Sequence, residues 1–327
     1  MGHEKMGKMA VLSHGDLDGI TSGAIALLKY PGADFYFTRP SQVHQDLSRI
    51  AKDRPALVHV SDIAINSAKF RQLLEALDRF PESTAIQWTD HHPITSRQRR
   101  EFSSRVDLMH EVGPCAAELV YRRFEADLPE HAVRLALYGA IGDFCDDTPF
   151  AKLHFDDIDK RTSYFEAGIL VQALQEIDYR RESKDLVYQL SLGVKPSSMN
   201  DMVDLAIKAT RIEHEVFRYV QKNAQKTGKL GYILDMPIYG YRGKSAKFSA
   251  YVTNSIVGIS ARTSDDEVDM SLRRRGTNVD LNKALNTVLS GFEGASGGGH
   301  PAAAGANLER GQFPKFLQLL SEYVADY

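Results

Sequence analysis

Ser13-His14-Gly15-Asp16-Leu17-Asp18-Gly19 follows the apolar run Met9-Ala10-Val11-Leu12 and precedes a helix-forming stretch over residues 20–29. The apolar run reads as a buried strand, so an imidazole and two carboxylates two residues apart fall on a strand-to-helix turn. In α/β sheets ligands bind there, at the carboxyl ends of strands. Acids this close repel each other unless a cation lies between them. The competing reading of Asp-x-Asp-Gly is a turn or a helix cap.

The same rhythm continues outward from this turn. Residues 34–38 read as a second strand and 43–51 as a helix. Residues 56–61 read as a third strand ending at Asp62, and 67–80 has helical spacing with Phe70, Leu73, Leu74 and Leu77 on one face. Residues 84–89 read as a fourth strand ending at Asp90-His91-His92-Pro93. Strand–helix alternation of this kind implies a mostly parallel sheet covered on both faces. From Pro114 helices dominate, over 116–124, 131–140, 164–176 and 184–192. Residues 193–200 look like a break, and 201–226 read as one long polar helix. The last hundred residues change character, with strand-like stretches at 230–234, 256–261 and 268–273, helix-like stretches at 246–253 and 281–289, and a Gly/Ala-rich segment at 291–305. The expected fold is therefore α/β with two domains. A parallel sheet flanked by helices occupies 1–192, a linker helix 193–227, and a smaller α/β domain 228–327.

Composition narrows the function classes. At 327 residues, 43% hydrophobic and 25% charged, the chain is long enough for two domains and typical of soluble globular proteins. No apolar run is long enough to span a bilayer, and no signal-peptide pattern opens the sequence. Two cysteines, Cys115 and Cys145, make no disulfide framework and read as buried small residues, so the expected location is cytoplasmic. A net charge of −3 argues against an extended duplex-binding groove, though not against a local anion site.

Three strand ends thus carry candidate metal ligands: His14, Asp16 and Asp18 at the first, Asp62 at another, and Asp90, His91 and His92 at a third. Gly139-Ala140-Ile141-Gly142-Asp143 places a further acid at the end of an apolar helix. Mixed carboxylate and imidazole donors suit Mn²⁺, Mg²⁺ or Zn²⁺, with Mn²⁺ favoured. One carboxylate can bridge two ions about 4 Å apart, an arrangement that serves phosphoryl transfer. Singly, each residue has a plainer reading: Asp62 as a helix cap, His91-His92 as a solvated pair, Asp143 as a helix-terminal charge. In the second domain, Gly297-Gly298-Gly299-His300-Pro301 offers backbone N–H groups that can cradle a phosphate, against the plainer reading of a flexible linker. Arg273, Arg274 and Arg275 close a strand nearby, and guanidinium groups pair phosphates. Strand neighbours point to opposite sides, so at least one of the three should face solvent.

The order His-x-Asp-x-Asp-Gly, strand-end Asp, Asp-His-His, Gly-x-Ile-Gly-Asp and Gly-Gly-Gly-His resembles the DHH phosphoesterase superfamily over nearly the whole chain. That superfamily includes RecJ-type exonucleases, nano-RNases, cyclic-dinucleotide phosphodiesterases and family II pyrophosphatases. The resemblance implies a catalytic DHH domain, a DHH-associated substrate-binding domain, and two divalent ions, Mn²⁺ first, with Mg²⁺ or Co²⁺ as alternatives. It also implies roles: Asp16 on one ion, Asp18 on the other, Asp62 bridging both, and His91 and Asp143 completing the second site. His92 would face the substrate phosphate or leaving group, and Arg273, Gly298, Gly299 and His300 would contact substrate. Two departures qualify this. His14 lies two residues before the first Asp rather than the four usual in nano-RNases and pyrophosphatases, so it either ligates or only lines the site. Asp146-Asp147 could align where Asp143 does, but Asp143 directly follows the small, apolar segment.

The chain lacks room for the extra nucleic-acid-binding domain of larger RecJ-type enzymes, which turns the expectation to short ligands. The leading reading is a metal-dependent phosphodiesterase that hydrolyses dinucleotides or short single-stranded oligonucleotides to nucleoside monophosphates, away from membranes, with a homodimer admissible. The rivals are a phosphomonoesterase or polyphosphate/pyrophosphate hydrolase and a non-catalytic nucleotide-binding regulator. Tyr239, Tyr241 and Phe248 are the candidate stacking aromatics of the second domain.

Overall fold

A five-stranded, wholly parallel sheet runs in the order β2-β1-β3-β4-β5: β1 is Met9–Ser13, β2 Asp34–Phe37, β3 Leu57–Ser61, β4 Ala85–Asp90 and β5 Asp107–His110. The computed structural model describes residues 7–177, 182–299 and 301–327. By internal contacts the chain divides into two units, Met1–Ile207 and Lys208–Tyr327. The division falls within a helix, Asn200–Asn223, that the sequence marks as a connector.

Alternation along β1 explains how the first unit is layered. Val11 enters one core and its neighbours Ala10 and Leu12 enter the other, because successive strand side chains point to opposite faces. The Val11 face is covered by α1 (Leu17–Lys29), α5 (Ala116–Phe124), α6 (Ala132–Gly142), α8 (Lys160–Ala173) and α9 (Glu182–Ser191). The Leu12 face is covered by α2 (Val43–Ile50), α3 (Phe70–Leu77) and Phe102 of α4 (Ser96–Ser103). The helix α7 (Pro149–Asp157) lies against α6. The strand order reverses between β1 and β3, and a doubly wound sheet opens its ligand crevice at such a switch point. Asp16 and Asp62 follow those two strands.

The second unit holds a six-stranded mixed sheet in the order β10-β11-β9-β8-β7-β6. These strands are β6 Gln225–Thr227, β7 Leu230–Leu234, β8 Val257–Thr263, β9 Glu267–Arg274, β10 Ser296–Gly299 and β11 Ala303–Glu309. Only β7 and β8 pair in parallel. Helices α12 (Leu281–Leu289) and α13 (Phe313–Tyr323) pack on one core. The C-terminal turns of α10 (Asn200–Asn223) and α11 (Arg242–Val252) share a second cluster through Val216, Val220 and Phe248. The Gly/Ala-rich segment, read from sequence as open backbone, is in part the hairpin of β10 and β11. Among the described residues no helix is long and apolar enough to cross a membrane.

Candidate metal centre

The end of β1 delivers His14, Asp16 and Asp18. Asp16 is the N-cap of α1: its Oδ1 accepts the Gly19 N–H at 3.1 Å, while Oδ2 lies 2.9 Å from His14 Nδ1. Capping and a place in the cluster thus fall to different oxygens of one carboxylate. Asp18 is buried in the first turn of α1, and its oxygens accept the N–H groups of Ala116 and Ala117, each at 2.7 Å. These are orphan donors of the α5 N-terminus, whose dipole favours an anion. α6 passes close beside this clamp: a Cβ on Gly139 would sit 2.8 Å from Asp18 Oδ1 and 2.7 Å from Thr21 Oγ1.

Asp62 follows β3 with φ +56°, a conformation that is uncommon away from glycine. It does not cap the next helical turn; Asn66 does, accepting the Ala68 N–H at 3.0 Å. β4 ends at Asp90, and His92 Nδ1 lies 2.9 Å from Asp90 Oδ1. A carboxylate holding an imidazole this way fixes its tautomer and orientation. The His92 carbonyl accepts from His110 Nε2 at 2.7 Å. Asp143 is the C-cap of α6, where the helix dipole opposes a negative charge, so its position is not explained by helix stability.

These residues converge. His91 Nε2 stands 3.3 Å from Asp143 Oδ2, 3.5 Å from Asp62 Oδ1 and 3.8 Å from Asp18 Oδ2. Asp62 Oδ1 is also 4.0 Å from His92 Nδ1, and Asp62 Oδ2 is 3.9 Å from His14 Nδ1. Three groups have donor atoms close enough to share an ion: Asp62, His91 and His92; His14, Asp16 and Asp62; and His91, Asp143 and Cys145. Asp62 belongs to two of them. Cys145, read from sequence as a packing residue, therefore offers a sulfur donor to the site. Its placement two residues after Asp143 is the only sequence signal of that.

The electrostatics bear on whether a cation fits. Burial raises the Asp62 carboxyl well above its ordinary range, and the charges of Asp16, Asp18 and Asp143 push it further. Burial, then Asp18 and Asp16, push Asp143 up to about 7. Burial outweighs the Ala117 and Ala116 N–H groups at Asp18 and pushes it up to about 6. At Asp16 burial works upward, but the His14 contact overturns it and the carboxyl is lowered. Burial pulls His14 and His92 down, yet the hydrogen bonds to Asp16 and Asp90 leave both raised. Burial and the neighbouring His92 charge lower His91. Asp62 Oδ2 and His91 Nε2 are buried without hydrogen-bond partners. Buried polar atoms ordinarily find partners. Buried donor atoms left without hydrogen-bond partners among crowded carboxylates fit a divalent cation.

In the second unit, Arg273 is half-buried and has no carboxylate partner among the described residues. It donates to the Leu272 carbonyl at 2.8 Å, and burial lowers its pKa. Its guanidinium lies against α11 at Gly243, where a Cβ would come within 2.7 Å of it. Arg274 donates to the Val279 carbonyl, and Arg275 is exposed. The register sets Arg273 opposite Ala303 and Gly299 opposite Ala304, so Arg273 and the glycine run flank β11. Gly298 and Gly299 have φ of +157° and +145°. The Gly299 N–H is taken by Asn282 Oδ1 at 3.2 Å, so the run is an edge strand with one amide already engaged rather than a free cradle. His300 lies outside the described residues. Of the aromatics considered, Tyr241 is buried and Phe248 half-buried in the core shared with α10. Tyr239 is exposed under the Arg262 guanidinium at 3.8 Å.

Residues 244–326 match the DHHA1 domain family. No curated protein matches the sequence. Among solved structures, exonuclease RecJ bound to manganese superposes with a TM-score of 0.64 at 18% identity, over 99% of this chain and 91% of that one. A pGpG-specific phosphodiesterase, PggH from Vibrio cholerae, gives 0.60 at 13% identity over 98% and 99%. An exopolyphosphatase-related protein from Bacteroides fragilis gives 0.59 at 15% over 99% and 94%.

Proposed function

From a chain with the DHH-superfamily fold and a DHHA1 domain, we infer a divalent-metal-dependent phosphodiesterase that hydrolyses dinucleotides or short oligonucleotides to nucleoside monophosphates. The observation that carries this reading is the convergence of His14, Asp16, Asp62, His91, His92 and Asp143 around unpaired buried donor atoms. Asp16 with His14 would hold one ion; His91, Asp143 and Asp18 would hold a second, with Cys145 as a further donor. Asp62, shared between the groups, would bridge. Mn²⁺ is the leading ion because oxygen and nitrogen donors predominate. When bound, such ions supply Lewis-acid stabilisation of phosphoryl oxygens and acidify water.

The chain's own residues do the rest. Asp18, clamped by two amides, keeps α1 and α5 in fixed relation under the site. Asp90 orients His92 so that its ring can donate to a phosphate oxygen or to the leaving group. Arg273, with Gly298, Gly299 and His300, would bind a substrate phosphate, the guanidinium giving a paired contact. The RecJ and PggH likenesses support a nucleotide substrate. The exopolyphosphatase-related likeness keeps inorganic polyphosphate as the second reading.

A hydrolysis panel tests this, with Mn²⁺ present or chelated, across pGpG, a 5-mer RNA, a 24-mer single strand, adenosine 3′,5′-bisphosphate and polyphosphate. Metal-dependent turnover fastest on the dinucleotide and falling with length is expected. Phosphate release from the bisphosphate or polyphosphate alone would replace the reading with a phosphomonoesterase or polyphosphatase. No turnover of any substrate would replace it with a nucleotide-binding regulator.

A further inference from the structure

Phe144 stands where a glycine belongs. The end of α6 is closed by two reverse hydrogen bonds, Phe144 N–H to Ile141 O at 3.4 Å and Cys145 N–H to Ala140 O at 2.8 Å. With Asp143 as C-cap, these are the paired bonds of a Schellman turn, and Phe144 is the residue just past the cap. That position takes the left-handed conformation and strongly favours glycine, which has no Cβ to clash. Phe144 adopts it, with φ +56°. Among the described residues, the other non-glycines with positive φ are Arg54, Asp62, Asp235 and Asn254. Three of those four are Asp or Asn, which tolerate the region; Phe144 is the one aromatic.

Nor is the ring there to build a core. Phe144 is 82% exposed, the most exposed of the large hydrophobics among the described residues. Its chain neighbours both turn inward: Asp143 Oδ2 reaches His91, and Cys145 Sγ joins the same donor group. The backbone therefore pins a solvent-facing aromatic ring between two residues of the metal centre. Strained backbone that persists at a site, carrying a ring the core does not use, points to function.

We propose that Phe144 is a specificity-determining residue, a stacking platform for a nucleobase of the substrate whose phosphate lies at the Asp62–His91–Asp143 cluster. This rests on the nucleotide reading above and deepens it. Stacking suits that task because every base offers a π-face, so the residue would select base-bearing substrates with little preference among bases. It also separates nucleotides from polyphosphate, which has nothing to stack.

The test compares wild type, Phe144→Gly, Phe144→Leu and Phe144→Trp on pApA and on its analogue with both bases removed. KM is measured with Mn²⁺, and binding by calorimetry. Phe144→Gly relieves the turn, so its Tm should equal or exceed that of wild type by a degree or two. Its KM and Kd for pApA should rise roughly tenfold, those for the abasic analogue less than twofold, and kcat should hold within about threefold. Phe144→Leu keeps the turn strain, lacks the ring and should show the same loss; Phe144→Trp should restore affinity. Unchanged pApA affinity in the Gly and Leu variants, or equal losses on both ligands, overturns the assignment. Binding of pApA without turnover, weakened by Phe144→Gly, keeps the stacking role and removes the hydrolase reading. Failure of wild type to bind or hydrolyse pApA overturns both.

Discussion

His59 should make a measurable contribution to acid lability of the first unit, and removing it should abolish that contribution. The ring is fully buried in β3, packed against Tyr30 and Phe124 at centroid distances of 6.2 and 5.6 Å. Its Nδ1 is 3.4 Å from Gln87 Oε1, an oxygen that already accepts from Tyr30 Oη at 2.7 Å, and its Nε2 has no partner. Burial, then the charge of Arg123, which itself pairs with Asp107, push the imidazole down to about 3; the Gln87 contact opposes them weakly. In the unfolded chain the same group titrates at about 6.5. Between those values the unfolded state holds the extra proton, so stability falls as pH falls. The contribution is whole above about pH 6.5, and each unit below removes about 1.4 kcal/mol. At pH 4.5 the loss is about 3 kcal/mol. His59→Leu abolishes the titration and the unpaired Nε2, and leaves Gln87 its Tyr30 donor. Urea unfolding followed by Trp88 fluorescence reads the right unit, because Trp88 is the only tryptophan and lies buried in β4, paired beside β3. Wild type and variant should agree to within about 1 kcal/mol at pH 7.5, and the variant should lead by about 3 kcal/mol at pH 4.5. Carboxylates that titrate in the same window do so in both proteins and cancel in the difference. Parallel stability curves from pH 7.5 to 4.5 would refute the argument.

Gly139→Ala drives a Cβ to 2.6 Å from Ala117 Cβ and 2.8 Å from Asp18 Oδ1, so α6 must retreat from the Asp18 clamp. It should cost about 1–3 kcal/mol in urea unfolding and weaken Mn²⁺ affinity; a variant equal to wild type in both would show that the close passage is not needed. Cys145→Ser should erase the near-ultraviolet sulfur-to-metal charge-transfer absorption of the Co²⁺-loaded protein; identical Co²⁺ spectra would remove the thiol from the donor set.

How much of this is legible in the sequence depends on whether the deciding contact is local. The strands β1 and β3 announce themselves because each is a short, largely apolar run that leads into a ligand-type residue, β4 because β-prone Ile86, Trp88 and Thr89 lead into Asp90-His91-His92, and α2 and α3 each carry one apolar face. β5 (Asp107–His110) and β10 (Ser296–Gly299) do not: the first has two apolar residues among four, and the second is a serine followed by three glycines. Both are edge strands that exist because a neighbour offers pairing partners. The residue types of the site are equally local, His-x-Asp-x-Asp and Asp-His-His, but their division of labour is not. Asp18 is clamped by amides 98 and 99 positions away, a contact no spacing rule supplies. Asp62 and Phe144 are distinguished by a backbone angle, and Cys145 by where the Schellman turn after α6 aims its sulfur.

Capping shows why spacing alone does not resolve the sequence alternatives. Asp-x-Asp-Gly at a helix start is what a cap requires and also what a cation site requires, so on sequence the two readings compete. In the folded chain they are not rivals. A carboxylate has two oxygens, and the cap at Asp16 uses only Oδ1; the bond fixes the side chain so that Oδ2 is presented to His14 and the cluster. Asp18 extends the argument, since amides at the head of α5 hold its oxygens while leaving further lone pairs open. Helix N-termini thus act here as mounts for the two carboxylates. Capping strength and ligand placement should therefore fail together when either aspartate is lost.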